Sequence, residues 1–350
     1  MSNLTVTAHY TRRVIFWSVV GLTGFVVIKG AITTAGAIWK KLHPEPPPPP
    51  NLLFGTLPQL SFPAPDQILP EKISYKLETV DGLPKFPEMT NVYFITKIEP
   101  NLLSLERANQ KALRMGFRST PEALEKFRYR WNNLQIPPST LEMDVTSGNF
   151  YLRYPYENDP SLLTAKNLAN NEQAIREARS LLSNAGLLTE DLASGSAEVS
   201  YYHFDPPKLV AAPSLSEADF IRVDLFRAPL NNVPVLPPNP TRSLISVLLS
   251  GSRESGKRIV EAEFAYAPVE RETFGTYPLK PIDKAWQELQ AGQGYIANLG
   301  ENPTGNITIR RIYLAYYESE ETQSLLQPVY VFEGDGNFAA YVTAAVSTID

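Results

Sequence analysis

The sequence predicts an α+β protein: helices packed on antiparallel sheets in a C-terminal body, one N-terminal transmembrane helix, and a proline-rich stalk joining the two. Three observations carry this reading. Residues 14–39 form an apolar run broken by one lysine. Ten prolines crowd into residues 42–70. Beyond them, helix-period segments ending in glycine alternate with short strand-period segments, the pattern of α+β layering.

The apolar run, VIFWSVVGLTGFVVIKGAITTAGAIW, spans about 39 Å as a helix, more than the roughly 30 Å hydrocarbon core of a bilayer. Trp17 and Trp39 stand about 33 Å apart on it by the same rise. That suits interfacial aromatic anchors, and Arg12, Arg13, Lys40 and Lys41 flank them. Lys29 is the opposing term. Near the bilayer centre it costs roughly 2.5–3.5 kcal/mol, whereas about a dozen Leu, Ile, Phe and Val residues each return roughly 0.3–0.6 kcal/mol, so insertion wins. The Lys29 stem can snorkel to an interface; the sharper reading pairs it with an acid of a partner helix. A cleaved signal peptide is the alternative for the whole segment, with an h-region at 14–28 and a small-residue site at Ala35-Gly36-Ala37. The apolar run beyond Lys29 and the proline spacer favour a retained anchor.

Flanking bases number two on each side, so orientation is read from size. Residues 1–13 form a short cytoplasmic head, 14–39 the membrane helix, and 40–70 a linker. Its tract 46–50 is expected to adopt polyproline II at about 3.1 Å per residue, lifting an extracytoplasmic body off the membrane.

Within the body, three helices are legible. The first runs from about Leu102 to Met115 and stops at Gly116. The second is capped by Asn170, with Gln173 answering in capping-box fashion; it buries Ala174, Ala178, Leu181, Leu182 and Ala185 and stops at Gly186. The third starts near Pro281, places Ile282, Ala285, Trp286 and Leu289 on one side, and stops at Gly292. Strand patterns follow each. Phe127, Tyr129 and Trp131 alternate, and Leu141, Met143 and Val145 turn at Ser147-Gly148-Asn149 into Phe150, Leu152 and Tyr154. The second set covers 199–204, 220–226, 244–249 and 259–266, and the third 307–317, 329–332 and 339–346. The expectation is three α+β modules of helix plus antiparallel meander, at 71–160, 161–275 and 276–350.

Composition excludes several functions. The 350-residue chain has no cysteine, so disulfides, thiolate metal sites and thiol nucleophiles are ruled out. The first 43 residues hold five bases and no acid, leaving 27 bases against 37 acids in the remainder. An acidic body repels phosphate backbones, so nucleic acid is not an expected partner. Only His203 of three histidines lies in the body, which excludes a metal site built mainly of imidazoles; no metal or cofactor is expected, and the sequence identifies no small-molecule substrate.

Some motifs suggest chemistry and then depart from it. Gly251-Ser252-Arg253-Glu254-Ser255-Gly256-Lys257 has the spacing of a phosphate-binding loop, but Arg258 replaces the magnesium-binding hydroxyl. A strand pattern also follows where a helix is required, so the segment reads as a hairpin turn. His203 with Asp205 reads as a strand-end histidine held by an acid rather than a catalytic pair. Glu261 and Glu263 share one strand face and read as a solvated face before paired catalytic carboxylates. Tyr201-Tyr202 and Tyr316-Tyr317 each place one ring away from the core, and those four rings are the candidate partner surface.

The closing pattern resembles a known family. A strand ending in Tyr316-Tyr317-Glu318, then Leu326-Gln327-Pro328-Val329-Tyr330-Val331-Phe332 and Ala340-Tyr341-Val342, is similar to the end of the YycH and YycI extracytoplasmic regulatory proteins, related in fold to PepSY-type domains. The resemblance covers about 40 residues, 307–346. It implies a single N-terminal anchor, an outer body of helix-plus-meander modules, and a non-catalytic role in restraining a membrane sensor kinase or a peptidase. The long stalk and the stretch 206–240 depart from that pattern. The function expected is thus a membrane-anchored regulatory or protein-interaction module with an envelope-protein partner. The alternatives are a structural subunit of a secretion or pilus assembly, and a carboxylate-based cell-wall enzyme using Glu261 and Glu263.

Overall fold

The computed structural model describes residues 3–42, 49–65, 67–80, 82–133, 137–165 and 167–346. Two compact units divide the chain, Met1–Pro49 and Pro50–Asp350. The first is a single helix, α1 (Asn3–Leu42), so the described part of the expected head is continuous with the apolar run. His43 and prolines 44 and 46–48 lie outside the described residues.

The second unit opens with β1 (Ser74–Leu77), β2 (Met89–Ile95), α2 (Ser104–Arg114), β3 (Glu122–Ala123), β4 (Arg128–Asn132), β5 (Thr140–Asp144) and β6 (Phe150–Arg153). Then come α3 (Ser161–Thr164), α4 (Asn171–Ala185), α5 (Glu190–Ala193), β7 (Ala197–Asp205), β8 (Lys208–Ala211), β9 (Phe220–Leu225) and β10 (Val235–Leu236). It closes with β11 (Ile245–Ser250), β12 (Ile259–Phe264), β13 (Val269–Pro278), α6 (Ile282–Gln290), β14 (Tyr295–Asn298), β15 (Asn306–Tyr317), β16 (Leu325–Gly334) and β17 (Phe338–Thr343). The α+β class read from the sequence is the class observed.

These strands form two sheets. One has nine strands in the order β3-β4-β5-β6-β12-β11-β9-β7-β8, every neighbour antiparallel. The other has eight, with β1-β15-β16-β17-β14 as its spine and β2, β10 and β13 alongside. The three expected modules therefore do not each own a sheet. Leu152 of the first module pairs with Ala262 of the second, and Tyr93 of the first pairs with Phe274 on β13 and Leu326 on β16. Alternation along a strand fixes which face is buried and leaves its partner open.

The linker expectation also needs correction beyond Pro50. Its apolar residues lie on the eight-stranded sheet: Leu57 is buried, Leu52 and Phe54 pack beside Val92 and Tyr277, and Leu60 and Phe62 join the cluster of Tyr317 and Tyr341. A proline-rich chain has no internal hydrogen bonds, so its backbone is free to pair elsewhere. The Gln327 side chain donates to the Pro58 carbonyl at 2.8 Å, and the Phe54 amide donates to the Tyr277 hydroxyl at 2.9 Å.

Helices α2 and α4 cover one face of the nine-stranded sheet. Their inward alanines, Ala108, Ala112, Ala174 and Ala178, meet a floor that includes Trp131, Leu141, Val223 and Val247. Asn170 caps α4 by accepting from the Gln173 amide at 2.9 Å, and Gly186 closes it in the left-handed conformation, φ 69°. The Gln173 side chain turns to Glu177 at 2.8 Å, so the reciprocal half of the capping box is not made. On the other sheet, α6 packs Ala285 and Leu289 beside Tyr330 and Phe332.

The phosphate-loop spacing lies in the β11–β12 hairpin, as the sequence predicts. Lys257 bonds Asp159 and Glu254, both at 3.0 Å. Gly251 has a packing role: a β-carbon there would stand 1.7 Å from the Ala165 carbonyl oxygen. Gly251→Ala is accordingly expected to destabilise the full chain by about 1–3 kcal/mol, the usual cost of overpacking, read from urea unfolding.

Candidate functional site

Among the described residues one helix is long and apolar enough to cross a membrane, His9–Gly36, with a mean hydropathy of 1.9. Trp17 and Trp39 are exposed, at 63% and 66%. Three threonines inside the apolar stretch bond their hydroxyls to carbonyls four residues back, Thr23 at 2.9 Å, Thr33 at 3.0 Å and Thr34 at 2.8 Å. That removes the desolvation penalty of three hydroxyls in a segment with few other polar side chains. Lys29 is exposed and makes no ion pair among the described residues.

The structure separates the four tyrosines of the candidate partner surface. Tyr316 and Tyr317 are buried, 2% and 0% exposed, and cannot meet a partner. The expectation of one outward ring assumes a wet sheet face, whereas β15 is covered on both sides at this point. Tyr316 packs edge-on against Tyr93 at 5.5 Å and donates to the Asn91 carbonyl. Tyr317 lies 4.7 Å from Phe62, in the segment expected to be stalk. Tyr201 and Tyr202 are half-buried; Tyr201 bonds Asn171, and Tyr202 packs beside Phe220 and Leu248.

His203 pairs with Asp219 at 2.6 Å rather than with Asp205. Glu261 bonds Arg153 at 3.2 Å, while Glu263 is exposed. Asp159, buried beneath Lys257, accepts from Tyr154 at 2.6 Å and from Ser161. Burial opposes its ionisation, but the bonds from Ser161, Tyr154 and Lys257 outweigh it and hold the carboxyl well below its usual range.

The most buried charge cluster has no counterpart in the sequence reading. Arg227, just past β9, has a side chain only 5% exposed. Its Nε lies 3.1 Å from Asp191 on α5, and its Nη1 lies 3.1 Å from Glu318 at the end of β15. Its guanidinium sits 4.1 Å over the Tyr266 ring, and Tyr266 donates to Asp191 at 3.1 Å. Burial pushes the Glu318 carboxyl up, and Arg227 pulls it back. Glu318 follows β15 of the eight-stranded sheet, Asp191 lies on α5 beside the nine-stranded sheet, and Tyr266 lies in the connection from β12 to β13. The cluster therefore pins the two sheets together and forms the base of a cleft of about 280 Å³ walled by Leu230, Val235, Val269 and Leu326.

The face of the nine-stranded sheet opposite its helices is divided between a buried apolar cluster of Phe204, Phe220, Leu248 and Val260 and a polar part. Arg222 bonds Asp224 at 3.0 Å and Arg130 bonds Glu142 at 2.6 Å on it, and Tyr151 is exposed at its middle.

No protein-family model matches the chain, and no curated protein matches it. A crystal structure of an uncharacterized protein from Eubacterium rectale ATCC 33656 is 11% identical, with a TM-score of 0.34, covering 80% of this chain and 88% of that one.

Replacing Arg227 by Ala leaves Asp191 and Glu318 facing each other without their cation. We expect a loss of about 3–5 kcal/mol in urea unfolding of the full chain, part of which returns when Glu318→Gln is added.

Proposed function

We propose that this protein is held in a membrane by residues 14–39, with Trp17 and Trp39 at the two interfaces, and that its body lies outside the cytoplasm and binds another envelope protein without catalysis. The observation that carries the reading is the exposed helix His9–Gly36, whose apolar side chains have no cover within the described residues. Burying such a stripe in lipid removes from water an area that few soluble proteins leave open. Tethering raises the local concentration of the body around a partner in the same membrane, so binding needs little intrinsic affinity.

The likeness of residues 307–346 to the end of YycH and YycI supports a regulatory role, with a sensor kinase or peptidase as the class of partner. The buried Tyr316 and Tyr317 belong to the fold under this reading, which shifts the contact to the polar sheet face.

The reading is tested by fractionating cells that express the full chain. The protein should stay with membranes through an alkaline carbonate wash, and protease added outside wall-permeabilised cells should digest the body. Recovery in the soluble fraction, or a body protected from protease while the membrane is intact, would contradict it.

A further inference from the structure

Helix α2 turns Ser104, Ala108 and Ala112 inward and leaves its other side open. On that side Arg107, Lys111 and Arg114 recur at spacings of four and three residues, which aligns them in one stripe. Arg107 and Arg114 are exposed and Lys111 is half-buried; none of the three meets a carboxylate or makes a side-chain hydrogen bond among the described residues. The one acid of the helix, Glu106, bonds Gln110 at 3.2 Å. Burial, then the charge of Arg107, push the Lys111 ammonium down, as befits a cation without a counter-charge. Acids outnumber bases 37 to 27 beyond residue 43, so this stripe reverses the sign of the body locally.

Leucines border the stripe. Leu102 is fully exposed, and Leu103 and Leu113 are 57% and 55% exposed. Leu103, the N-cap residue, keeps a near-helical backbone at φ −97° and ψ 0°, four residues before Arg107. The turn around it is fixed: its amide donates to the Asn101 side chain at 2.9 Å, and the Asn101 amide donates to the Ser104 hydroxyl at 3.0 Å.

We infer that this side of α2 docks on a bilayer containing anionic lipid, its three cations meeting headgroup phosphates while Leu102, Leu103 and Leu113 enter the headgroup boundary. Bases and large apolar side chains together on one open helix side suit a surface that is charged outside and oily beneath. A partner that answered the charges alone would leave three leucines in water. The inference rests on the proposed membrane anchor, and chain length supports it. Seven residues, 43–49, separate the end of α1 from the segment that packs on the body, a reach of at most about 30 Å. So short a tether keeps the body beside lipid, where a weak surface contact suffices.

Because the chain has no cysteine, Gln110→Cys carries a single fluorophore within the stripe. The full-length protein is placed in nanodiscs of phosphatidylcholine, with or without phosphatidylglycerol, that contain headgroup-spin-labelled lipid, and quenching reports docking. Quenching should rise with phosphatidylglycerol and fall in high salt. R107Q/K111Q/R114Q should lower the docked-to-undocked ratio about tenfold or more, whereas the charge-matched K208Q/R242Q/K284Q should stay within about twofold. L102S/L103S should lower it as well. Quenching that ignores phosphatidylglycerol, or that falls equally in both charge variants, would overturn the inference. So would binding of polyglutamate that needs the three cations but not the leucines, which assigns the face to an acidic protein. A chain that never enters nanodiscs removes the anchor too, so that failure is distinct from a chain that enters without docking.

Discussion

The buried Arg227 is the constraint on which the rest of the body depends. A guanidinium with 5% side-chain exposure needs its charge answered nearby, and it is answered by two acids far apart in sequence, Asp191 on α5 and Glu318 just after β15. Its position fixes how the chain leaves the nine-stranded sheet after β9. The crossing segment pairs β10 with Tyr316 and Tyr317 on β15 and then returns to β11. A second crossing, from β12 to β13, passes Tyr266, the ring beneath the same guanidinium. Charge, ring and crossovers therefore meet at one place, and neither sheet is assembled from a continuous stretch of chain that could be cut away cleanly.

That arrangement explains where the aromatic residues went. The eight-stranded sheet is wrapped on one side by α6 and on the other partly by the segment that begins at Pro50, and this double cover removes Tyr317, Tyr330 and Tyr341 from solvent, while Tyr316 is buried against Tyr93, Leu230 and Val235. The nine-stranded sheet is covered by α2 and α4 on one face, and part of its other face is left open and polar.

Local features were legible in the sequence, and long-range ones were not. The cap at Asn170, the stop at Gly186 and the hairpin in place of a phosphate loop depend on residues within a few positions of one another, and each is found as read. Sheet membership depends on partners far along the chain, so local patterns do not reveal that strands of different expected modules share one sheet or that the residues after Pro50 pack on the other. The Tyr316-Tyr317 expectation failed because alternation does not reveal that both faces of β15 are covered. Arg227 gave only a faint signal, one arginine next to the apolar strand that ends at Phe226, and its acids come from distant positions.

The central claim is that the two sheets form one cooperative body closed by the Arg227 cluster. The chain carries a natural probe in each: Trp131 is buried in the nine-stranded sheet, and Trp286 packs 5.9 Å from Phe332 on the other. With Trp17 and Trp39 replaced by Phe, two variants that each retain one of these indoles should be compared with far-ultraviolet circular dichroism during urea unfolding. Within each variant, the fluorescence transition of its single indole and the backbone transition should coincide, as for a two-state unit. Fluorescence from Trp286 and backbone signal changing at clearly different urea concentrations, with Trp131 tracking a separate step, would contradict the account.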